Sequence, residues 1–405
     1  GLAEDTIIFF YGDHGGQLAR SKRFIYNVGT QVPLIIRFPE KWRDLATAAP
    51  GTAVDHLVSF VDFPKTVLSI CGLQVPEIMQ GSIFLGPDRE PNPPHVHFYR
   101  DRMGERTDFS RAITDGRWYL IQNFMPHRPR GRDSRYGYQV QANWGAWQRH
   151  YDAGRCNAIQ SQFFEPKPVV QLFDTHGDPW HVKNLADDPT QQDRVAELQR
   201  ELFQWMIDTR DAGLIPEAMF HELTGDGHAW ATRYEFAQSD HYPIDQLLPI
   251  VRDCSRGDLA RLPEYRQLTR HDNPIARHWG AYALFLTKDS APETQHTLQE
   301  MMSNDSMAAN RVMAAQAMGV CGKPDRAFTA IMNEANAATN GYVLFHSLSA
   351  FQYAHLDGRL TKSDWSRFKK NRTNAKLAID KHGFEYADRI INDALSIWPE
   401  TRKVD

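Results

Sequence analysis

The sequence predicts an α/β segment, then a small α+β layer, then an all-α helical-repeat region. Three observations carry this expectation. Within the first 90 residues a strand, a polar loop, a second strand and a helix follow one another. Between 94 and 215, short strand-like stretches precede one long amphipathic helix. Beyond 245, helix-forming stretches recur at 33 to 35 residues.

Each region is justified by its own pattern. In residues 1–93, "TIIFFY" (Thr6–Tyr11) reads as a fully buried strand and "VPLIIRFP" (Val32–Pro39) as a second, closed by Pro39. "LVSFVDFPKTVLSICGL" reads as a helix with Asp62 and Pro64 in its first turn and Gly72 at its end. In residues 94–215, "HVHFYRD", "SRAITDGRWYLIQNF" and "VVQLFDTHGDPW" predict antiparallel strands, with a hairpin turn at Asp115-Gly116. The helix that follows keeps Val195, Leu198, Leu202, Trp205 and Met206 on one stripe, so it needs a sheet to lie against. Residues 216–244 read as a linker that packs on its neighbours. In residues 245–405, stretches starting at Asp272, Asp305 and Asn340 each open on an N-capping residue and continue small and apolar. That is the pattern of a HEAT-like helical-hairpin solenoid, with an irregular helical bundle as the alternative.

Composition removes several function classes. Of 405 residues, 41% are hydrophobic and 11% aromatic, which excludes wholesale disorder. A formal net charge of −4 gives no field to recruit nucleic acid or an anionic membrane. No apolar run is long enough to span a bilayer. No signal peptide is visible, but the first residue is Gly, so a leader is left open. Cys71, Cys156, Cys254 and Cys321 show no CxxC spacing; a zinc ribbon is not expected, and buried small hydrophobes are.

The chemistry concentrates in "YGDHGGQLARSKRF". Asp13 and His14 follow a strand directly, where the carboxyl ends of strands in open α/β sheets bind ligands. A carboxylate and an imidazole there suit a metal, although an ordinary strand-end turn also has this form. Arg20, Lys22 and Arg23 follow on a polar loop that returns to the second strand. A tetrahedral oxyanion could be shared between a metal and such cations.

"IIFFYGDHGGQLARSKRFIYNVGTQVPLIIRFP" resembles the C-terminal metal-site segment of sulfatases, in the alkaline-phosphatase-like superfamily. "VSFVDFPKTVLSICGLQVPEIMQGSIFLG" is similar to the family's later "D..PT.L...G...P....G" segment, and "VVQLFDTHGDPWHVKNLADDP" to its close. The nearest likeness is to bacterial sulfatases similar to heparan N-sulfatases. The resemblance implies that 1–93 is the end of a sulfatase α/β core and 94–215 its C-terminal α+β subdomain. It implies Asp13 and His14 as ligands of a divalent cation, usually calcium, and Lys22 as a catalytic contact to a sulfate oxygen. His14 stands where Asn would supply an oxygen, which leaves a transition metal open. Arg100, Asp101 and Arg102, at a predicted strand end, become candidates for substrate contact, weighed against a salt-bridged turn. His127 is explained by a basic surface loop. Trp144, Trp147, Trp180 and "RPRGRDSRYGYQ" would suit sugar rings and anionic groups, or simple packing.

Sulfatases use a formylglycine made within CxPxR, and no such motif is present in the chain. The expectation is therefore the C-terminal part of a longer sulfatase, inactive alone, whose nucleophile and remaining ligands lie upstream. The implied substrate is a sulfated carbohydrate and the implied location periplasmic or secreted. Open alternatives are a phosphonate or phosphodiester hydrolase of the same superfamily, and a degenerate, non-catalytic binding protein. The helical region would serve a protein partner or self-association.

Overall fold

Side-chain alternation organises the first sheet. In the computed structural model, β1 (Ile8–Tyr11) pairs antiparallel with β2 (Leu34–Arg37), Phe10 opposite Ile35. The structure describes residues 2–102, 104, 106–131, 138, 141–224, 230–339, 341–374 and 381–396. Between the strands lies a single turn, α1 (Asn27–Thr30), and after them α2 (Asp62–Ile70). The inner side chains Phe9 and Tyr11 meet Phe63 of α2, the latter edge-on at 5.1 Å. The expectation of a fully buried strand is not met: Ile8, Phe10 and Ile35 are 47%, 62% and 60% exposed. A two-stranded ribbon beside one helix has cover for only one face.

The helix α2 is bounded as its sequence predicts. Gly72 takes a positive φ of 68°, and the Leu73 N–H reaches the Leu68 carbonyl at 2.9 Å, closing the last turn in a Schellman arrangement. At the other end the buried Asp62 carboxylate accepts from the Ser59 N–H at 2.7 Å and the Ser82 N–H at 2.8 Å. A Cβ at Gly81 would lie 2.5 Å from the Val61 carbonyl oxygen, so only glycine lets the chain pass there.

The second sheet is an antiparallel meander of β3 (Val96–Arg100), β4 (Ser110–Thr114), β5 (Trp118–Asn123) and β6 (Val170–Asp174). Its β4–β5 turn falls at Asp115-Gly116 as predicted, with the Asp115 carboxylate accepting from Trp118 N–H at 2.7 Å. α3 (Ala142–Asp152) and the short α4 (Ala158–Ser161) are inserted before β6. On one face, Ile113, Leu120 and Leu172 pack under α5 (Gln192–Asp208) through Val195, Leu198 and Leu202. On the other, Ala112, Tyr119, Ile121 and Phe173 receive Phe24, Ile25 and Tyr26 from the β1–β2 connection, with Trp144, Phe163 and Phe164. The expected stripe of α5 holds, and its Trp205 stacks on His97 at 4.5 Å. Asn184 closes the outer edge of β6 by accepting from the Leu172 N–H at 2.8 Å.

The stretch read as a linker contains α6 (Glu217–Thr224) and α7 (Trp230–Gln238), with 225–229 outside the described residues. The helices that follow are α8 (Ile244–Cys254), α9 (Leu262–Leu268), α10 (Pro274–Thr287), α11 (Pro292–Asn304), α12 (Ala308–Val320), α13 (Pro324–Ala337), α14 (Gly341–Tyr353), α15 (Lys362–Asn374) and α16 (Lys381–Ser396). α10, α12 and α14 pack in series and are buried nearly all round, while α11 and α13 bury one side. Arg277 and Arg311 stand at equivalent places in α10 and α12. Each donates to carbonyls of the turn before its helix and to a later carboxylate, Asp305 at 2.7 Å and Glu334 at 2.6 Å. Asn340, the expected start of a third copy, lies outside the described residues.

This helical stack rests on the sheet subdomain. Trp279 of α10 touches Phe109 and donates to the Leu214 carbonyl at 2.9 Å. His127 is not on a surface loop as expected: it contacts the Tyr282 hydroxyl at 2.7 Å among the rings of Tyr282, Phe285 and Tyr353. Arg128 beside it is buried against Tyr353 of α14, and Arg130 is buried against Gln162, Gln171 and the Tyr26 ring. Of the cysteines, Cys254 and Cys321 are buried as expected, whereas Cys71 is exposed and Cys156 half-buried.

Burial holds the imidazole of His278 in α10 down to about 4 and, with help from the charge of Arg20, that of His181 down to about 3. A histidine whose folded pKa lies below its unfolded value takes up a proton on unfolding, so its stabilisation is complete above pH ~6.5 and is lost as pH falls toward the folded pKa. We expect about 2 kcal/mol lost per imidazole between pH 7.5 and pH 5. Urea midpoints of the chain and of His278→Gln at the two pH values check this; parallel acid sensitivity in both proteins would refute the His278 contribution.

Candidate active site

The site is built where two stretches of backbone cross without side chains between them. A Cβ on Gly15 would sit 1.9 Å from the Val28 carbonyl oxygen, and one on Gly29 2.4 Å from that of Ser21. The Gly15 N–H donates to Gly29 at 3.0 Å, and the Ser21 hydroxyl to Val28 at 2.8 Å. The loop then doubles back, with the N–H groups of Leu18 and Lys22 both reaching the Gly16 carbonyl, at 2.8 and 3.3 Å. Lys22 is thereby returned beside the Asp13–Gly16 turn.

Asp13 lies just past β1, its side chain 85% exposed, with a carboxylate oxygen 3.5 Å from His14 Nε2. His14 Nδ1 is 2.5 Å from the Gly15 carbonyl, which can only accept. In the neutral imidazole that donation puts the proton on Nδ1 and would leave Nε2 able to bind a cation beside Asp13. One carboxylate and one imidazole nitrogen fit as part of a divalent-cation site. Among the described residues no third His, Cys, Asp or Glu joins them.

The three loop cations have different fates. Arg20 lies over the Tyr26 ring at 4.1 Å and donates to the carbonyls of Trp180, at 2.5 Å, and His181. Arg23 offers its carbonyl to Arg100. Lys22 is half-buried, and its ammonium has no hydrogen-bond or ion-pair partner among the described residues. Arg20 and Arg23, on either side of it, both hold positive φ, 72° and 79°. Left-handed backbone at such residues costs roughly 1–3 kcal/mol each and persists where surrounding contacts impose it.

Arg100, Asp101 and Arg102 are each engaged in ion pairs. The buried Arg100 places Nε 3.1 Å from Asp108 and stacks over Phe24 at 4.2 Å. Asp101 accepts from Arg111 at 2.9 Å, and Arg102 donates to Glu217 at 2.6 Å. The structure ties Arg100 to the Lys22 loop through the Arg23 carbonyl. Asp108 also receives the buried Lys167 ammonium. Burial works against its charge, but Lys167 and Arg100 more than offset this and hold the carboxyl well below its usual range.

The aromatic candidates separate similarly. Trp144 is buried against Phe24 and Phe163, and Trp147 stacks on Phe163 at 4.8 Å, so both are packing residues. Trp180 is 65% exposed, on the turn that Arg20 grips. Of "RPRGRDSRYGYQ", residues 132–137 and 139 lie outside the described residues. Sequence reasoning gave no role to Arg20, Asn27 or His181 in holding this site. Asn27 donates from its side chain to the Pro179 carbonyl at 3.2 Å and from its backbone to His181 Nδ1 at 3.3 Å. No local pattern announces a contact spanning about 150 residues.

This strand-end loop lies within a recognised family segment. Residues 12–128 match the family described as N-sulphoglucosamine sulphohydrolase, C-terminal. An ulvan-active sulfatase of Formosa agariphila is 40% identical over 219 residues, 54% of this chain and 36% of that protein. A second ulvan-active sulfatase of the same organism is 26% identical over 290 residues, 69% of this chain and 49% of the relative. Arylsulfatase K of Xenopus laevis is 31% identical over 85 residues, 20% of this chain and 15% of that protein. The chain thus spans between a third and a half of the two ulvan-active relatives.

Asp108→Ala would leave buried Arg100 and Lys167 without their carboxylate, at an expected cost of about 3–5 kcal/mol. The exposed Arg117–Asp174 pair, at 2.8 Å, is the control: Arg117→Ala should cost far less, since exposed ion pairs contribute little. Equal urea midpoints for the two variants would contradict the assignment of Asp108 as the charge that holds this region together.

Proposed function

We propose that this chain is the metal- and anion-binding end of a sulfatase that hydrolyses sulfate esters or N-sulfates of a carbohydrate. The observation that carries this is the return of Lys22, whose ammonium has no partner among the described residues, to the Asp13–His14 turn, inside the segment that matches the sulfatase family. Ulvan, a sulfated polysaccharide, is named in the two Formosa relatives, which supports a substrate of that class. The exposed face of Ile8, Phe10 and Ile35 suits a strand pair that belongs to a larger sheet. The alkaline-phosphatase-like core, the HEAT-like character of the helices and a periplasmic or secreted location belong to the same proposal. So do the region boundaries at 93, 215 and 244.

In this reading a formylglycine outside the chain is the nucleophile, and a divalent cation, calcium in the first instance, supplies Lewis-acid stabilisation of a sulfate oxygen. Asp13 and His14 hold the cation from the β1 side. Lys22 donates to a sulfate oxygen and stabilises charge that grows as the bond to the leaving oxygen or nitrogen breaks. In this reading Arg100 acts behind the Lys22 loop, and Arg100, Asp101 and Arg102 have their charges matched within the protein.

His14 gives the phosphodiester or phosphonate alternative its one support, since a nitrogen ligand suits transition metals as well as it suits calcium poorly. Full-length protein assayed on a sulfated polysaccharide, an aryl sulfate and an aryl phosphodiester separates these readings, and inactivity on all three would favour a non-catalytic binding role. On the sulfate ester, Lys22→Ala should lower kcat at least about tenfold. Chelation of the cation should abolish turnover, with recovery on adding back calcium. Unchanged kcat in Lys22→Ala would remove Lys22 from the mechanism.

A further inference from the structure

The loop that carries Lys22 is clamped on both sides by the α+β subdomain. On one side the Arg20 guanidinium donates to Trp180 and His181 carbonyls in the turn after β6. Asn27 reinforces that grip through the Pro179 carbonyl at 3.2 Å and His181 Nδ1 at 3.3 Å. On the other side Arg100, fixed by Asp108, donates to the Arg23 carbonyl. The two clamped residues are the two that hold left-handed backbone around Lys22. Among the described residues Lys22 itself is held through its backbone, by the N–H bond to Gly16. A lysine side chain without a partner among the described residues takes its direction from the backbone that carries it.

We propose that Arg20 is a positioning residue for Lys22: by gripping the 179–181 turn it sets the backbone from which the Lys22 ammonium reaches the anion. The inference rests on the role given to Lys22 above. It makes the turn after β6, more than 150 residues away in sequence, a determinant of the site. Without the Arg20 clamp, residue 20 relaxes to an ordinary negative φ, and the start of the Lys22 side chain turns with it.

The test is a double-mutant cycle in the full-length protein with a sulfate ester, measuring kcat, KM and Tm for Lys22→Ala, Arg20→Ala and the pair. If Arg20 acts through Lys22, Arg20→Ala lowers kcat about tenfold. In the Lys22→Ala background it then causes no further loss, although it still lowers Tm. Arg20→Lys, which keeps the cation but can serve only one carbonyl well, should recover part of kcat and allows the cycle to be run if Arg20→Ala does not fold. Equal fold-losses from removing Arg20 with and without Lys22 would show a general structural role and overturn the proposal. So would wild-type kcat in Arg20→Ala. Wild-type kcat in Lys22→Ala is a separate result, which overturns the role of Lys22 and this inference with it.

Discussion

Phe24, Ile25 and Tyr26 hold together the two halves of the sheet-bearing region. Among the described residues before 94, the other buried apolar side chains are Pro39, Ile83 and Leu85, so the β1–β2 ribbon has almost no core of its own. The aromatic pair, each worth roughly 2–3 kcal/mol when fully buried, is driven into the second sheet against Ala112, Tyr119 and Phe173. Tyr26 also bonds through its hydroxyl to Gln171 on β6, at 3.1 Å. Once these three residues are seated, the positions of residues 20 to 23 follow within narrow limits. The site is therefore a consequence of packing that lies just after it in sequence.

Electrostatics then sorts the cations. In low-dielectric surroundings a guanidinium must find acceptors or carboxylates, and Arg20, Arg100 and Arg111 all do. Arg111 is bracketed by Asp101 and Asp211 at 2.9 and 2.5 Å, which hold its charge firmly in place. Burial lowers Arg100 to about 10 and would lower it further without Asp108. These arginines bind protein groups, and their forked donors allow each to serve more than one acceptor. Lys22, a single point charge at the rim, is left for something else. An oxyanion needs a cation that folding has not already neutralised, and among the loop's three cations only Lys22 has no described ion-pair or hydrogen-bond partner for its side chain.

The pattern of local elements was legible in the sequence because local rules decide them. The Gly72 stop, the Asp115-Gly116 turn, the stripe on α5 and the Asp13–His14 turn past β1 all depend on neighbours within a few residues. What the sequence did not disclose depends on long-range cover. Hydrophobicity alone marked "TIIFFY" as buried, but burial needs a second layer, and Ile8 and Phe10 have none among the described residues. His127 and Arg128 looked like a surface loop because their polarity is local, while the rings that enclose them come from Tyr282, Phe285 and Tyr353. The same limit hid Arg20 among three similar cations. Its partners are backbone carbonyls, which carry no residue-type signal at all.

The helical region obeys the same logic at a larger scale. A free-standing stack of helix pairs exposes one side of its inner layer, so those helices should be amphipathic. Here α10, α12 and α14 are apolar nearly all round, and a second cover is what that composition demands. α6 supplies part of it against α12 and α14, while Phe109, Leu214 and His127 meet α10. The inner side of the stack is thus occupied by the chain's own sheet subdomain. What remains for any partner is the opposite side, where α11 and α13 bury single stripes and turn their polar residues outward. A stack built this way braces the subdomain that carries Arg100 and the 179–181 turn, and through them it supports the loop of Lys22.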